Sequence, residues 1–516
     1  MNAPGPPAVP PTSTEEADVC LLLEGTYPYI RGGVSAWVHQ IISKLPELKF
    51  SAIFLGGARS DYAEMKYQLP SNFIHLETHY LSESWRLGKA SPRPGNRAYV
   101  ADSAKLHDYF KKPAAGLPPG LLERLLSGLG QKSGLTRDDF LFSDAVWEQV
   151  SADFNRYSSD PSFTDYFWTV RIMHAPLFML ADITRQAPPA KVYHSISTGY
   201  AGLLGSFLAK ARGRPLILSE HGIYTKERKI DLAQADWIKD AEEIFGGGLE
   251  DDVSYIRRLW IRFFEGIGRL TYEAADPIVA LYEGNRQRQI RDGAVAERTT
   301  IVPNGINLER FDPVRAARGD KVPPVLGLIG RVVPIKDIKT FIRAMHTVVK
   351  QLPEAEGWIV GPEDEDRAYA AECHALVASL GLEQKVKFLG FQNVADILPK
   401  LGLMVLTSIS EALPLVVVEG YAAGVPAVVT DVGSCRELIE GRTPEDKALG
   451  VSGAVVNIAD PEATGKAAAR LLSDEQQWKR AQQAGLERVR RFYTEPMMIG
   501  RYRELYQEAI RRPGRT

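Results

Sequence analysis

Residues 408–438 read SISEALPLVVVEGYAAGVPAVVTDVGSCREL, and this stretch decides how the rest of the chain is read. Its two carboxylates, Glu411 and Glu419, have seven residues between them, the first in a polar loop and the second in an apolar run after Pro414. Proline suits the first helical position, so the pattern predicts a helix opening at Pro414. Glu411 would then lie at the helix mouth, beside free backbone N–H groups and the positive dipole end, with Glu419 one to two turns in. A helix N-terminus is a site for phosphate, and carboxylates accept hydrogen bonds from sugar or ribose hydroxyls. The combination suits a nucleotide sugar. A buried α/β helix with two solvated acids would show the same spacing.

The residues upstream favour the ligand. Gly330-Arg331-Val332-Val333-Pro334-Ile335-Lys336-Asp337 follows the apolar run 325–329, which reads as a buried parallel strand. Glycine at a strand end lets a ligand approach the backbone. Arg331 offers a planar fork to phosphate oxygens and Lys336 a mobile point charge.

Together these residues resemble the retaining glycosyltransferases of family 4. That family has the GT-B fold, an α/β architecture of two doubly wound Rossmann-like domains facing a cleft. Its Glu-x7-Glu element stands here as Glu411 and Glu419, and its Gly-Arg-x4-Lys element as Gly330, Arg331 and Lys336. The bridge element stands as Pro303-Asn304-Gly305-Ile306-Asn307, and the glycine pair of the first loop as Gly32-Gly33. The opening VCLLLEGTYPYIRGGVSAWVHQII and the segment SEHGIYTKER are similar to the cytosolic glycosyltransferases of Pel exopolysaccharide assembly. The resemblance spans residues 19–506.

It implies roles residue by residue. Glu419 takes the ribose hydroxyls of the donor. Arg331 and Lys336 hold the diphosphate, and Glu411 contacts the transferred sugar from the leaving-group side. Gly330, Gly361 and Phe388 frame the donor, and the backbone around Leu413, Pro414, Leu415 and Val416 adds to the phosphate site. In the first domain Gly32 and Gly33 bring amides to the phosphate or sugar, and His221 lies near the transferred sugar. His194, Lys226 and Arg228 are weaker candidates.

The implied reaction is transfer, with retention, of a hexosyl unit from UDP-N-acetylgalactosamine or UDP-glucose to a growing polysaccharide acceptor. The departing phosphate assists the incoming hydroxyl on one face, so the two-carboxylate logic of glycosidases does not apply. No cofactor and no metal are expected. Asp364-Glu365-Asp366 has the letters of a metal-binding Asp-x-Asp motif, but it lies in the charged run PEDEDRAY and reads as a solvated loop. Two alternatives are a UDP-sugar epimerase of the same fold and a non-catalytic UDP-sugar-binding subunit of an export complex. The first would release epimerised nucleotide sugar; the second would bind UDP without transfer.

At 516 residues the chain can bury two cores. Hydrophobic and charged contents of 45% and 24% are those of a globular protein. A formal charge of −2 gives no global attraction to nucleic acid or an anionic membrane, so phosphate binding must be local. Cys20, Cys373 and Cys435 form no CxxC pair and make an odd count, which fits a reducing cytoplasm and argues against a disulfide framework or zinc site. The first residues lack the charged start and apolar core of a signal peptide. No run of about 20 apolar residues occurs, so direct membrane insertion is not expected. The resemblance implies recruitment by an inner-membrane export or synthase complex.

The expected layout begins with a disordered proline-rich tail over 1–17. A Rossmann-like acceptor-side domain follows over 18–310, then a polar linker over 307–321 and a nucleotide-sugar-binding domain over 322–490. A helix over 491–512 crosses back, by the resemblance, onto the first domain. Buried-strand runs are expected at 19–23, 51–56, 191–194, 215–219 and 277–281, and then at 325–329, 357–360, 386–389, 403–406 and 427–430. A helical insertion over about 82–190 is rich in aromatics (Trp147, Phe154, Tyr157, Phe163, Tyr166, Phe167, Trp168), which are expected to make a local core rather than an acceptor surface.

Overall fold

The computed structural model describes residues 12–85, 91–157, 162–233, 254–319 and 321–512. The chain divides into two units: Met1–Ala280 with Arg286–Thr300 and Tyr502–Thr516, and Leu281–Asn285 with Ile301–Arg501. Most of the expected tail lies outside the described residues, and Ala17 is already the buried first residue of a strand.

The first unit carries a seven-stranded sheet built from β1 (Ala17–Glu24), β2 (Phe50–Gly56), β3 (Phe73–Tyr80), β4 (Ala190–Ser195), β5 (Leu216–Glu220), β6 (Ala275–Ala280) and β7 (Thr299–Ile301). Their order is β3-β2-β1-β4-β5-β6-β7, and β1 to β6 pair in parallel. Strands covered on both faces read as continuous apolar runs, and all seven residues of β2 are buried. Edge strand β3, FIHLETHY, buries only Phe73, Leu76 and Tyr80, so its sequence carries no such run.

Helices from Leu81–Ser84 to Phe163–Gln186 form the insertion. Of its aromatics Tyr166 is buried and Phe154 and Phe167 pack against the same core, in line with a local core, while Trp147 and Trp168 reach the surface. On the helix Phe163–Gln186, Tyr166, Val170, Met173 and Leu177 recur at helical spacing and are buried. Trp147 and Trp168 lie outside that stripe, 54% and 40% exposed. They join a surface ridge through Phe163 and Phe167, 5.4 and 5.5 Å from Trp147, with the Arg171 guanidinium 4.0 Å from the Phe167 ring. Tyr157 is outside the described side chains.

The second unit carries a six-stranded parallel sheet: β8 (Val325–Ile329), β9 (Glu356–Val360), β10 (Val386–Gly390), β11 (Leu403–Leu406), β12 (Ala427–Thr430) and β13 (Gly453–Val456). The order β10-β9-β8-β11-β12-β13 reverses direction between β8 and β11. Ligands of doubly wound sheets bind at such a switch point, outside the carboxyl ends of the strands. Two apolar cores flank the sheet, one around Val417, Tyr421 and Val429 and the other around Phe341, Met345 and Val428.

The bridge element belongs to this unit, so a first-domain boundary at 310 falls too late. Backbone pairing fixes it there: Ile306 N–H donates to the Tyr493 carbonyl and Glu495 N–H to the Ile306 carbonyl, both at 2.9 Å. A Cβ on Gly305 would lie 2.2 Å from the Thr494 carbonyl oxygen, so this turn requires glycine. Two helices close the chain, Glu475–Phe492 and Glu495–Arg511; residues from Tyr502 onward are part of the first unit.

Arg488 is fully buried and all its nitrogens donate. Nε reaches Asp446 Oδ1 at 2.5 Å, Nη1 the carbonyls of Leu438 and Ile439 and Ser452 Oγ, and Nη2 the carbonyls of Asp446 and Gly450. Removing one partner of a buried pair strands the other and costs about 3–5 kcal/mol. Arg488→Ala is therefore expected to lower unfolding free energy by about that amount, measured by urea titration. A loss below about 1 kcal/mol, the range of an exposed pair, would contradict it.

Candidate active site

The loops after β8, β9 and β10 are tied together by backbone. Gly330 N–H donates to the Val360 carbonyl (2.9 Å), Val332 N–H to Pro362 (3.0 Å), and Gly361 N–H to Gly390 (2.9 Å). Gly361 has φ 155, and a Cβ there would lie 2.0 Å from the Gly330 carbonyl oxygen. These two expected site residues are thus in contact, and glycine is obligatory at the second.

The loop after β11 is fastened to the loop after β8. Thr407 Oγ1 lies 3.0 and 2.9 Å from the carbonyls of Lys336 and Asp337, and Ile409 N–H donates to the Ile335 carbonyl at 2.9 Å. That register brings Lys336 Nζ to Glu411 Oε1 at 2.5 Å, with Ser408 Oγ donating to the same oxygen at 2.7 Å. Both side chains of the ion pair are largely buried, 21% and 13% exposed. Gly433, with φ 56, passes so close to the Glu411 and Ala412 carbonyls that a Cβ would sit 2.3 and 2.5 Å from them.

The helix of the quoted stretch is Leu415–Ala422, with Pro414 as its N-cap at ψ 99 and not its first helical residue. Glu411 consequently stands four residues ahead of the helix, held by Lys336 and not by free helical N–H groups. Leu413 is buried, and Leu415 and Val416 are half-buried. Glu419 sits inside the helix, mostly buried. Burial pushes its carboxyl above the ordinary range, and Arg310 partly opposes this.

Arg331 Nη1 donates to both oxygens of Glu365, at 2.5 and 2.7 Å, in a half-exposed pair. Asp366 accepts the Tyr369 N–H at 2.9 Å and caps the helix Arg367–Ser379. The acidic run is therefore more than a solvated loop, because two of its three acids have defined structural partners. Phe388 packs on His374 with ring centroids 3.9 Å apart, and His374 Nε2 is 2.7 Å from Glu363 Oε2. Among the described residues no group of three or more His, Cys, Asp or Glu could hold a metal ion.

In the first unit Gly32 caps the helix Gly33–Lys44, and a Cβ on either glycine would meet nothing within 4 Å. Packing does not impose this pair. His221 follows β5, its ring facing Trp37 at 4.6 Å, and burial draws its pKa down to about 4, so it is neutral at pH 7. His194 is fully buried between Tyr506 Oη and Ser219 Oγ, each at 2.8 Å, which marks it as a structural residue. Arg228 covers the Tyr224 ring at 5.1 Å and pairs with Asp231 at 3.4 Å. No ion pair involves Lys226 among the described residues.

Glu220 was missed. It ends β5 and takes Tyr272 Oη at 2.8 Å, Gln289 Nε2 at 3.0 Å and Thr198 Oγ1 at 3.2 Å, while burial holds its carboxyl up to about 7. The available signal was an acid closing the apolar strand LILSE.

Residues 17–297, more than half of the chain, match the family model described as a domain of unknown function, DUF3492. The chain belongs to that family. Residues 323–474 match the model described as glycosyl transferases group 1. D-inositol 3-phosphate glycosyltransferase of Streptomyces avermitilis is 29% identical over 262 residues, 47% of this chain and 51% of that one. The lipopolysaccharide core biosynthesis mannosyltransferase LpsB of Rhizobium meliloti is 30% identical over 202 residues, 37% and 55% of the two chains. The chain thus spans about half the length of each of these two relatives. The crystal structure of Anabaena HepE in complex with UDP superposes with a TM-score of 0.57 at 15% identity, covering 95% of this chain and 99% of that one. The fold is accordingly of the GT-B type, with two Rossmann-like domains. No helix among the described residues is long and apolar enough to cross a membrane.

Buried histidines give the first unit a pH signature. His174 and His221 are drawn to about 4 and His194 to about 3 by burial, below the ordinary value of about 6.5. Between those values the unfolded chain binds more protons, so stability rises with pH and is complete above about 6.5. Glu220, held near 7, acts in the opposite sense. His107, buried and also drawn well below the ordinary value, adds to the histidines, and Glu227 and Glu273, raised by burial, act with Glu220. The larger histidine effect should make Tm rise from about pH 4.5 to 6.5 by calorimetry, and more steeply in Glu220→Gln. A flat or falling Tm would refute the assignment.

Proposed function

We propose that this protein is a retaining glycosyltransferase that moves a hexosyl unit from a UDP-sugar to a growing exopolysaccharide chain. The observation that carries the reading is the Lys336–Glu411 pair at the switch point of the second sheet, one helix turn ahead of the helix that bears Glu419. A cation and two carboxylates at that position suit a diphosphate and the hydroxyls that flank it. The glycosyl transferases group 1 match over residues 323–474 and the UDP complex of HepE support the same donor class.

In this reading Glu419 accepts the ribose hydroxyls, Glu411 faces the transferred sugar, and the backbone of 413–416 adds to the phosphate site. The nucleobase lies by Gly361 and Phe388. As UDP departs, charge on its β-phosphate meets Lys336, held in place by Glu411, and the half-exposed Arg331; donors aimed at developing charge are where such sites gain most of their rate. Gly32, Gly33 and His221 serve the donor from the first domain. Likeness of the opening segment and of SEHGIYTKER to PelF favours a Pel-type polymer, UDP-N-acetylgalactosamine or UDP-glucose as donor, and a cytoplasmic enzyme recruited by an inner-membrane export partner.

The test is turnover of individual UDP-sugars by the purified protein, read as UDP release, beside Lys336→Ala and Glu411→Ala. One UDP-hexose should be preferred, and Lys336→Ala should lower kcat by about 10²–10³-fold. Glu411→Ala should still bind UDP. Binding without turnover of any donor would sink the enzyme reading in favour of a binding subunit, and release of epimerised UDP-sugar would sink it in favour of an epimerase.

Arg331 and Lys336 supply the neutralisation that a divalent ion gives in other glycosyltransferases, so the reaction proceeds without metal. Turnover should be unchanged in excess EDTA; complete loss restored by manganese would overturn this.

A further inference from the structure

We propose that Trp37 is a positioning residue for His221, and that the C-terminal helix, through Tyr502 and Tyr506, fixes Trp37 in turn. The proposal rests on the reading above, in which His221 faces the transferred sugar. A histidine that works through one ring nitrogen is ordinarily oriented by a hydrogen bond at the other. Among the described residues no hydrogen bond reaches the His221 ring, and its Nε2 is buried without a partner. Packing must therefore set the orientation of the ring.

The packing partner is Trp37, 4% exposed, on the helix that Gly32 caps. Its ring lies 4.6 Å from the His221 ring at 66°, the edge-to-face geometry that aromatic pairs prefer. Two further T-shaped contacts hold Trp37, with Tyr502 at 5.2 Å and His194 at 6.0 Å. Hydrogen bonds lock both supports. His194 spans Tyr506 Oη and Ser219 Oγ at 2.8 Å each, and Tyr502 Oη lies 3.0 Å from Ser219 Oγ. Ser219, on β5, stands two residues before His221, which follows that strand, so the clamp begins and ends on one short segment. All of these residues lie in the first unit.

A tryptophan that merely fills the core would lose stability on replacement without singling out His221. The experiment compares Trp37→Leu, Trp37→Phe and Tyr502→Leu with the unaltered protein, reading kcat and KM for the UDP-sugar, Tm, and the rate of diethyl pyrocarbonate modification at His221 by mass spectrometry. Trp37→Leu should lower kcat about tenfold to a hundredfold, the scale of a misplacement near 1 Å, with KM unchanged. Modification of His221 should accelerate at least several-fold. Trp37→Phe should restore most of both effects, and Tyr502→Leu should reproduce them in weaker form. In a His221→Ala background Trp37→Leu should lower kcat no further.

An equal loss in that background, or an unaltered modification rate in Trp37→Leu, overturns the proposal whatever the activity. Absence of turnover with every UDP-sugar, with the change in modification rate intact, instead overturns the functional reading and with it the catalytic purpose of the clamp.

Discussion

A cation buried with no water around it has to be matched by protein groups at every donor, and Arg488 obeys that constraint through five residues. The consequences reach the candidate site. Ser452 Oγ, which accepts from Arg488, lies 2.7 Å from Tyr421 Oη, and Tyr421 is two residues past Glu419 on the same short helix. Helix Leu415–Ala422 is otherwise apolar, and its packing buries Val417, Val418, Tyr421 and Ala422. The Tyr421 hydroxyl adds a directional contact to that packing on the helix that carries Glu419. An apolar replacement of matching volume can be as stable as a buried pair, so the cost of losing Arg488 lies in the partners it would leave unmatched.

Glycines in the motifs separate into two physical kinds. Gly305, Gly361 and Gly433 each stand where a Cβ would lie under 2.4 Å from a carbonyl oxygen of a neighbouring loop, so backbone packing alone requires them. Gly32 and Gly33 face open space, where a Cβ would meet nothing within 4 Å, and Gly32 is the N-cap of its helix, a position that favours glycine. Close backbone packing thus requires these three glycines of the second unit and not the pair of the first.

Sequence made the interior of both sheets legible. The runs at 325–329, 403–406 and 427–430 coincide with strands, because strands covered on both faces must be apolar throughout. Three of the four edge strands escaped, while edge strand β10 coincides with the run at 386–389: β3 alternates with His75, Glu77 and His79, β7 has only three residues, and β13, GAVV, is half-buried along most of its length. Within the site, Lys336 and Glu411 were each legible as motif residues, whereas their pairing, Pro414 as a cap and Glu220 as a buried acid were not. Each depends on partners distant in sequence, such as Tyr272 and Gln289 for Glu220, and no local pattern announces them.

Both cations assigned to the donor phosphates already have a carboxylate partner, and the two pairs differ in kind. Arg331 and Glu365 are each about half exposed, so water screens their attraction and the pair is worth about 0–1 kcal/mol. Lys336 and Glu411 are largely buried, and Ser408 adds a hydrogen bond to the shared carboxylate oxygen. Separating the second pair would leave a charge in a poorly solvated place; separating the first would not. In the proposed reaction the arginine is therefore the group free to turn toward an arriving diphosphate. The lysine meets the same anion while still bound to Glu411, which places that carboxylate beside the bond to be broken without requiring it to act as a nucleophile.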